Sequence, residues 1–351
     1  MRRRDLFLTP LYMTIGYSQK PREWVTAAAS RDTAPRVGLI PSTFTGSTET
    51  DGRKIRALAQ PAPLTATLSG AQLEDMLRLA VELGGGRQGG LVTAISREDW
   101  VVIKVNAPAC RKAPVAATDP RLVAGVLRYL TERGLGRRFS IVGDMSCPES
   151  AADTGSTGFR AIVDSFSRRH PGRRFELIDL LTAPRLEMPV EGRVFARRNP
   201  GGIYHVPRVL RECDKVISIA PLAAMPGPGI ALSLLNYLDF APPADRALGD
   251  PGEVAVDLFS FHPADYAIAG GTLASGHAGI RRHNVIIAGT NAPAVDAVGA
   301  AVMGFDSLSI RHLELAVNHG YGVNDAYAIW TRGSEIDEVK ATFGEPAPKA
   351  P

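Results

Sequence analysis

The apolar positions of this chain follow two alternating periods. Short, nearly continuous apolar runs recur at Trp100–Val105 (WVVIKV), Phe139–Val142, Phe175–Leu181, Lys215–Ala220 (KVISIA), Tyr266–Ala269 and Val285–Ala288 (VIIA). Runs of this length, rich in β-branched residues, predict strands covered on both faces. Between them, apolar residues return every three or four positions, which is the spacing of one helix face. Ser69 caps a predicted helix over Ala71–Leu83, with Leu73, Met76, Leu77, Ala80 and Val81 as its stripe and Gly84-Gly85-Gly86 as its stop. Asp119 followed by Pro120 starts a second, with Leu122, Val123, Val126, Leu127 and Leu130 inward and Gly134 at its end.

Further helices are predicted at Phe159–Arg168, Val206–Glu212, Ile230–Leu238 (introduced by Pro226-Gly227-Pro228-Gly229), from Asn291-Ala292-Pro293 to Met303, and Leu308–Asn318. The unit Trp100–Val142 is strand, helix, strand, so its strands should lie parallel with a right-handed crossover. Repetition of that alternation predicts an α/β fold: a mainly parallel sheet with helices on both faces. Residues 183–202 interrupt the pattern and read as an excursion or a small β insertion. Residues 30–67, with four prolines and a Ser/Thr/Gly-rich run, read as irregular. One α/β domain is therefore expected over 68–342, with a disordered tail over 343–351.

Composition fits a globular chain: 351 residues, 45% hydrophobic and 22% charged, outside the range of intrinsically disordered sequences. No apolar run approaches the roughly 18 residues of a membrane-spanning helix. The net charge of +4 resides mostly in residues 1–29, where Arg2, Arg3, Arg4, Lys20 and Arg22 face only Asp5 and Glu23. The remaining body is near neutral, so no nucleic-acid partner is expected. Arg3-Arg4-Asp5-Leu6-Phe7 reads as a twin-arginine export signal, followed by a weakly apolar stretch and a small-residue cleavage site at Ala27-Ala28-Ala29. The expected compartment is then periplasmic; the alternative is a basic cytoplasmic start. The three cysteines, Cys110, Cys147 and Cys213, form no CxxC pair. An iron–sulfur cluster held by this chain is not expected, and no other cofactor is specified.

Open parallel sheets bind ligands beyond the carboxyl ends of their strands, and that rule selects the candidate chemistry. Lys104 sits inside an apolar strand, where a cation must be paired, snorkel or function; as a functional group it would neutralise an anion or serve as a base. Asn106 follows it. Asp144 follows the next strand, as a turn residue, a partner for Lys104 or a metal ligand. Gly227 and Gly229 precede a predicted helix whose free N–H groups would take an anion; a plain rigid loop is the other reading. Asp296 lies in a helix otherwise made of Ala, Val and Gly, so it needs a partner: Lys104, a cation, or backbone N–H groups from a nearby loop. Asn291 would orient a ligand. His262, His277 and His312, with Asp144, are the metal candidates, although no metal-binding histidine spacing is present.

Three stretches carry a family resemblance: DWVVIKVN (Asp99–Asn106); VPRVLRECDKVISIAPL (Val206–Leu222) with IALSLLNYL (Ile230–Leu238); and NVIIAGTNAPAVDAVGAAVMGFD (Asn284–Asp306). Together they resemble the domain of unknown function 362 family, some members of which carry ferredoxin modules and many exported members of which begin with a twin-arginine signal. The resemblance spans about residues 75–325. Where the family has Lys-Thr-His this chain has Ala223-Ala224-Met225, Leu235-Asn236 replaces Lys-Asn, and Ala269 or Gly270 stands for an Asp. Lys104, Asn106, Asn236 and Asp296 persist. The expectation is an exported protein that binds a small anionic ligand or a metal-bearing cofactor, with Lys104 and Asp296 as shared chemistry, Asn236 to orient the ligand, and enzyme activity left open. A catalytically inactive binding protein is the alternative, and a redox partner protein the third reading.

Overall fold

The computed structural model describes residues 34–49, 52–85, 90–107, 116–146, 157–190 and 201–344. The export signal read at 1–29 and residues 345–351 of the tail read at 343–351 lie outside them; Phe343, read as part of that disordered tail, is instead buried in the core and donates its N–H to the Met303 carbonyl. In chain order the elements are β1 (Arg36–Pro41), β2 (Ser47–Thr48), β3 (Lys54–Ile55), α1 (Gly70–Leu83), α2 (Leu91–Ala94), β4 (Trp100–Val105), α3 (Pro120–Glu132), β5 (Arg138–Gly143), α4 (Thr157–Arg169) and β6 (Arg174–Asp179). Then follow β7 (Arg185–Pro189), β8 (Ile203–Pro207), α5 (Arg208–Glu212), β9 (Lys215–Met225), β10 (Gly229–Ile230), a 3-10 turn (Leu235–Phe240), α6 (Pro243–Arg246) and α7 (Pro251–Phe261). Last come β11 (Tyr266–Gly276), β12 (Gly279–Gly289), α8 (Ala292–Val302), a 3-10 turn (Ser307–Ser309), α9 (Arg311–Asn318), β13 (Trp330–Gly333) and α10 (Ile336–Val339).

The main sheet runs β13-β1-β12-β11-β9-β4-β5-β6, with β10 paired to β9. Along that path every pairing is parallel except those of β12 with β1 and β11. The fold is thus α/β with a mainly parallel sheet. Successive side chains of β4 point to opposite faces. Val101, Ile103 and Val105 pack with α1 and α3, whereas Val102 faces a second core that includes residues of the 3-10 turn 235–240, α7 and α8. Ser69 caps α1 with a full capping box, and Asp119 with Pro120 opens α3. Among the described residues, no helix is long and apolar enough to cross a membrane.

Four further sequence expectations change. The 30–67 segment is not wholly irregular: β1 lies inside the sheet between β12 and β13. Its signal is weakened by Gly38, which the packing requires, since an added Cβ would stand 2.1 Å from the Ala80 carbonyl oxygen of α1. Ile230–Leu238 is not a helix introduced by Pro226–Gly229. Pro226–Pro228 is instead the turn of the β9–β10 hairpin and Gly229 opens β10; Gly227 and Gly229 adopt φ of 86° and 83°. Val206 and Pro207 belong to β8, and the helix starts only at Arg208. Finally, β11 and β12 extend well beyond the predicted runs and form an antiparallel hairpin. Residues 183–202 do contain half of a β insertion, β7, which pairs with β8.

Candidate functional site

Lys104 is the penultimate residue of strand β4, at its carboxyl end, in register with Ser218 of β9 and Val142 of β5. Its side chain is completely buried. The ammonium donates to the Val105 carbonyl (2.7 Å), Asn236 Oδ1 (3.0 Å) and Asp239 Oδ2 (3.0 Å). Three acceptors match its three protons. Burial pulls the lysine below its ordinary value, and the nearby Asp239 and Asp144 carboxylates oppose that shift.

Asp239 is shared. Arg246 Nη1 reaches its Oδ1 at 3.3 Å, and Arg246 Nη2 reaches Asp144 Oδ2 at 2.9 Å. Lys104, Asp239, Arg246 and Asp144 therefore form a quartet of alternating charge at the ends of β4 and β5. The inner pair is closed to solvent, whereas Arg246 and Asp144 keep side-chain exposures of 21% and 19%. Burial, then the Asp239 charge, push the Asp144 carboxyl above the usual range; Arg246 and Lys104 pull it back. Beside the quartet lies a cavity of about 20 Å³, walled by Asn106, Met225, Leu235, Asn236 and Asp239, room for about one water molecule.

Asp296 does not meet Lys104. Its carboxylate accepts from the backbone N–H groups of Ser233 (2.9 Å) and Leu234 (2.8 Å) and from the Ser233 hydroxyl. It caps the 3-10 turn from another element. A relay of polar contacts still links the two residues. Ser218 donates to the Ser233 carbonyl (3.0 Å), Asn236 Nδ2 donates to Ser218 Oγ (3.0 Å), and Asn236 Oδ1 holds the lysine. Burial lifts the Asp296 carboxyl to about 7 despite these hydrogen bonds.

The other candidates separate. Asn106 donates to the Ala116 carbonyl and lines the cavity. Asn291 is committed to capping α8 through the Ala294 N–H. Gly227 stands in a hairpin turn and Gly229 opens β10, so the helix N-terminus invoked for them is not there. His262 neighbours Cys213 and Asp265, His277 is exposed beside the β11–β12 turn, and His312 is buried in α9. Among the described residues no group of three or more His, Cys, Asp or Glu side chains is placed to hold a metal ion. Cys110 and Cys147 lie outside the described residues, and Cys213 is a free thiol.

Sequence reading missed Asp239 and Arg246. A signal was present for the first: Ser233, Asn236 and Asp239 are the polar residues of the apolar run Ile230–Ala241 apart from Tyr237, spaced by three. That is the period of a 3-10 helix, whose side chains at i and i+3 eclipse. Arg246 carries no local signal. A larger hollow of about 650 Å³ lies between β13 and residues 43–49. Its central charges, Arg332 and Glu49, already pair with each other. Volume favours that hollow; the buried charges favour the smaller one.

The profile of the domain of unknown function (DUF362) matches residues 101–301, more than half of the chain. The chain belongs to this family. The matched DUF362 segment contains the whole quartet, the 3-10 turn and Asp296. Comparison with curated proteins yields no match. Among solved structures, the lactate racemase apoprotein from Thermoanaerobacterium thermosaccharolyticum is similar at 12% identity and a TM-score of 0.37, over 77% of this chain and 63% of that one. At that level of similarity no ligand or reaction carries over.

Proposed function

We propose that this protein binds a small anionic molecule at the carboxyl-end rim of β4 and β5. Arg246 receives the anion, Asp144 stands beside it as the ionisable group, and Asn106 supplies the cavity wall. The observation that carries this reading is the quartet's position. Four charges converge where an open parallel sheet takes its ligands, and its outer pair remains partly exposed. Arg246 donates to the Ala241 carbonyl, the Asp239 carbonyl and carboxylate, and Asp144, four acceptors for the five donors of a guanidinium. Burial and the Asp239 charge raise the Asp144 carboxyl, and Arg246 and Lys104 oppose that shift. Lys104 acts here as a positioning residue that holds Asp239 and Asn236.

The test is native mass spectrometry of the gently purified full chain, together with thermal-shift measurements against small carboxylates and phosphates. A bound mass or a rise in Tm, lost in Arg246→Gln, supports the reading. A wild-type protein that responds to none of these, or a variant that responds equally, overturns it. The saturation of Lys104 favours a second reading, a catalytically inactive protein in which the quartet only ties the turn to the sheet. Under that reading Arg246→Gln lowers Tm and no anion raises it.

We infer export from Arg3-Arg4. Cell fractionation should find the wild-type chain outside the cytoplasm and the Arg3→Lys, Arg4→Lys variant retained within it.

A further inference from the structure

A second cluster of reactive side chains lies at the amino end of β9, where that strand begins, away from the carboxyl-end quartet. Cys213 closes α5 and is 6% exposed. Its Sγ is 3.7 Å from His262 Nδ1, and His262 Nε2 is 3.7 Å from Asp265 Oδ2. The three residues thus stand in the order thiol, imidazole, carboxylate. The imidazole and the carboxylate keep side-chain exposures of 19% and 23%, so this end of the cluster is partly open to solvent.

His262 is held by contacts from several sides. It is the C-cap of α7, where the negative end of the helix dipole favours positive charge. Its Nδ1 lies 3.1 Å from the Leu210 carbonyl, which fixes that nitrogen as a donor. Asp265 supplies the opposing charge, although its carboxylate is shared with the Lys215 ammonium (3.0 Å) and the Val216 N–H (2.9 Å). Tyr237 also faces the cluster, donating its hydroxyl to the His262 carbonyl. Burial disfavours the charged ring, but the hydrogen bonds and negative charge of Asp265 and of Cys213 itself outweigh it and raise the imidazole to about 10. A thiol beside a fixed imidazolium is the arrangement that favours thiolate at neutral pH.

We propose that Cys213 is a redox modification site: a thiolate, paired with the His262 imidazolium and oriented through Asp265, that reacts with small peroxides. In that step the sulfur attacks one peroxide oxygen. The S–O bond forms as the O–O bond breaks, sulfur is oxidised by two electrons and the peroxide is reduced. The leaving hydroxide takes the imidazolium proton and departs as water, leaving a sulfenic acid and neutral His262. The inference is independent of the anion-binding reading of the rim.

The test is performed on the folded full chain. The ultraviolet thiolate absorbance of wild type minus Cys213→Ser, followed across pH, should show a step below about pH 7 rather than near the 8.5 of a free thiol. A pulse of iodoacetamide near pH 6, read by peptide mass spectrometry, should label Cys213 at least tenfold faster in wild type than in His262→Gln. After brief hydrogen peroxide, dimedone should trap the sulfenic acid at Cys213. A thiolate step near 8.5, labelling only after unfolding, equal rates in the two proteins, or no dimedone adduct overturns the proposal. The absorbance difference needs no histidine variant, so it decides the question even if His262→Gln does not fold.

Discussion

The Lys104 ammonium and the Asp239 carboxylate stand 3.0 Å apart with almost no exposure to solvent, although 135 residues separate them along the chain. A pair so placed is stabilising only as a pair. Desolvating each ion costs several kcal/mol, and the mutual attraction offsets that cost only while both partners remain.

Removing one partner should therefore be worse than removing both. Lys104→Met or Asp239→Leu should each cost about 3–5 kcal/mol, whereas the two combined should cost less than either alone. Urea denaturation of the three variants measures this. Additive losses would show that the contact carries no coupling.

His312 should make the fold acid-sensitive. Its ring is buried with neither nitrogen hydrogen-bonded, and burial depresses it to about 4. The native state therefore binds the proton less readily than the unfolded chain, whose histidine titrates near 6.5. Stability from this residue is complete above pH 6.5, falls as the pH drops toward 4, and levels below it, a change of about 3 kcal/mol. Denaturant midpoints across pH 4–7 for Asp296→Asn, with and without His312→Leu, should show the acid-side loss only where His312 is kept.

Asp296 should act in the opposite direction. Its carboxyl is raised to about 7, so the native state binds the proton more readily than the unfolded chain. Its contribution is complete below about pH 4 and is lost as the pH rises through 7. Between pH 4 and 6.5 the two residues oppose each other. Wild type should be nearly flat there, Asp296→Asn should expose the histidine's acid sensitivity, and His312→Leu should leave a loss on the alkaline side. Two variants with the same pH profile as wild type would refute both assignments.

Gly38→Ala should be badly tolerated. The new Cβ meets backbone on α1 rather than a flexible side chain, so the helix must lift from the sheet. A loss of about 3 kcal/mol, or failure to accumulate folded protein, is expected. Thermal melts of Gly38→Ala beside Gly134→Ala separate overpacking from backbone strain, because Gly134 has φ of 72° but open space around it.

Much of the site's scaffold was readable locally. WVVIKV and the Asp119-Pro120 start placed β4 and α3 correctly, because burial on two faces and helix capping leave marks within a few residues. The turn after β9 was misread for the opposite reason. Its amides at 233 and 234 are satisfied by a carboxylate on α8, so the segment had no need to form the α-helix that its apolar content implied. Asn236 was singled out, yet its neighbour in the same three-residue stripe, Asp239, was passed over when an α-helical period was applied to a 3-10 turn.

The sequence by itself determined the alternation of strand and helix, the faces each element must bury, and the placement of Lys104 and Asp144 at the ends of adjacent strands. Tertiary structure decided which carboxylate neutralises Lys104, that Arg246 closes the quartet, and that Cys213 meets His262. Periodicity is a property of neighbouring residues, whereas the partner of a buried charge is chosen by distance in space, and only the folded sheet fixes that distance.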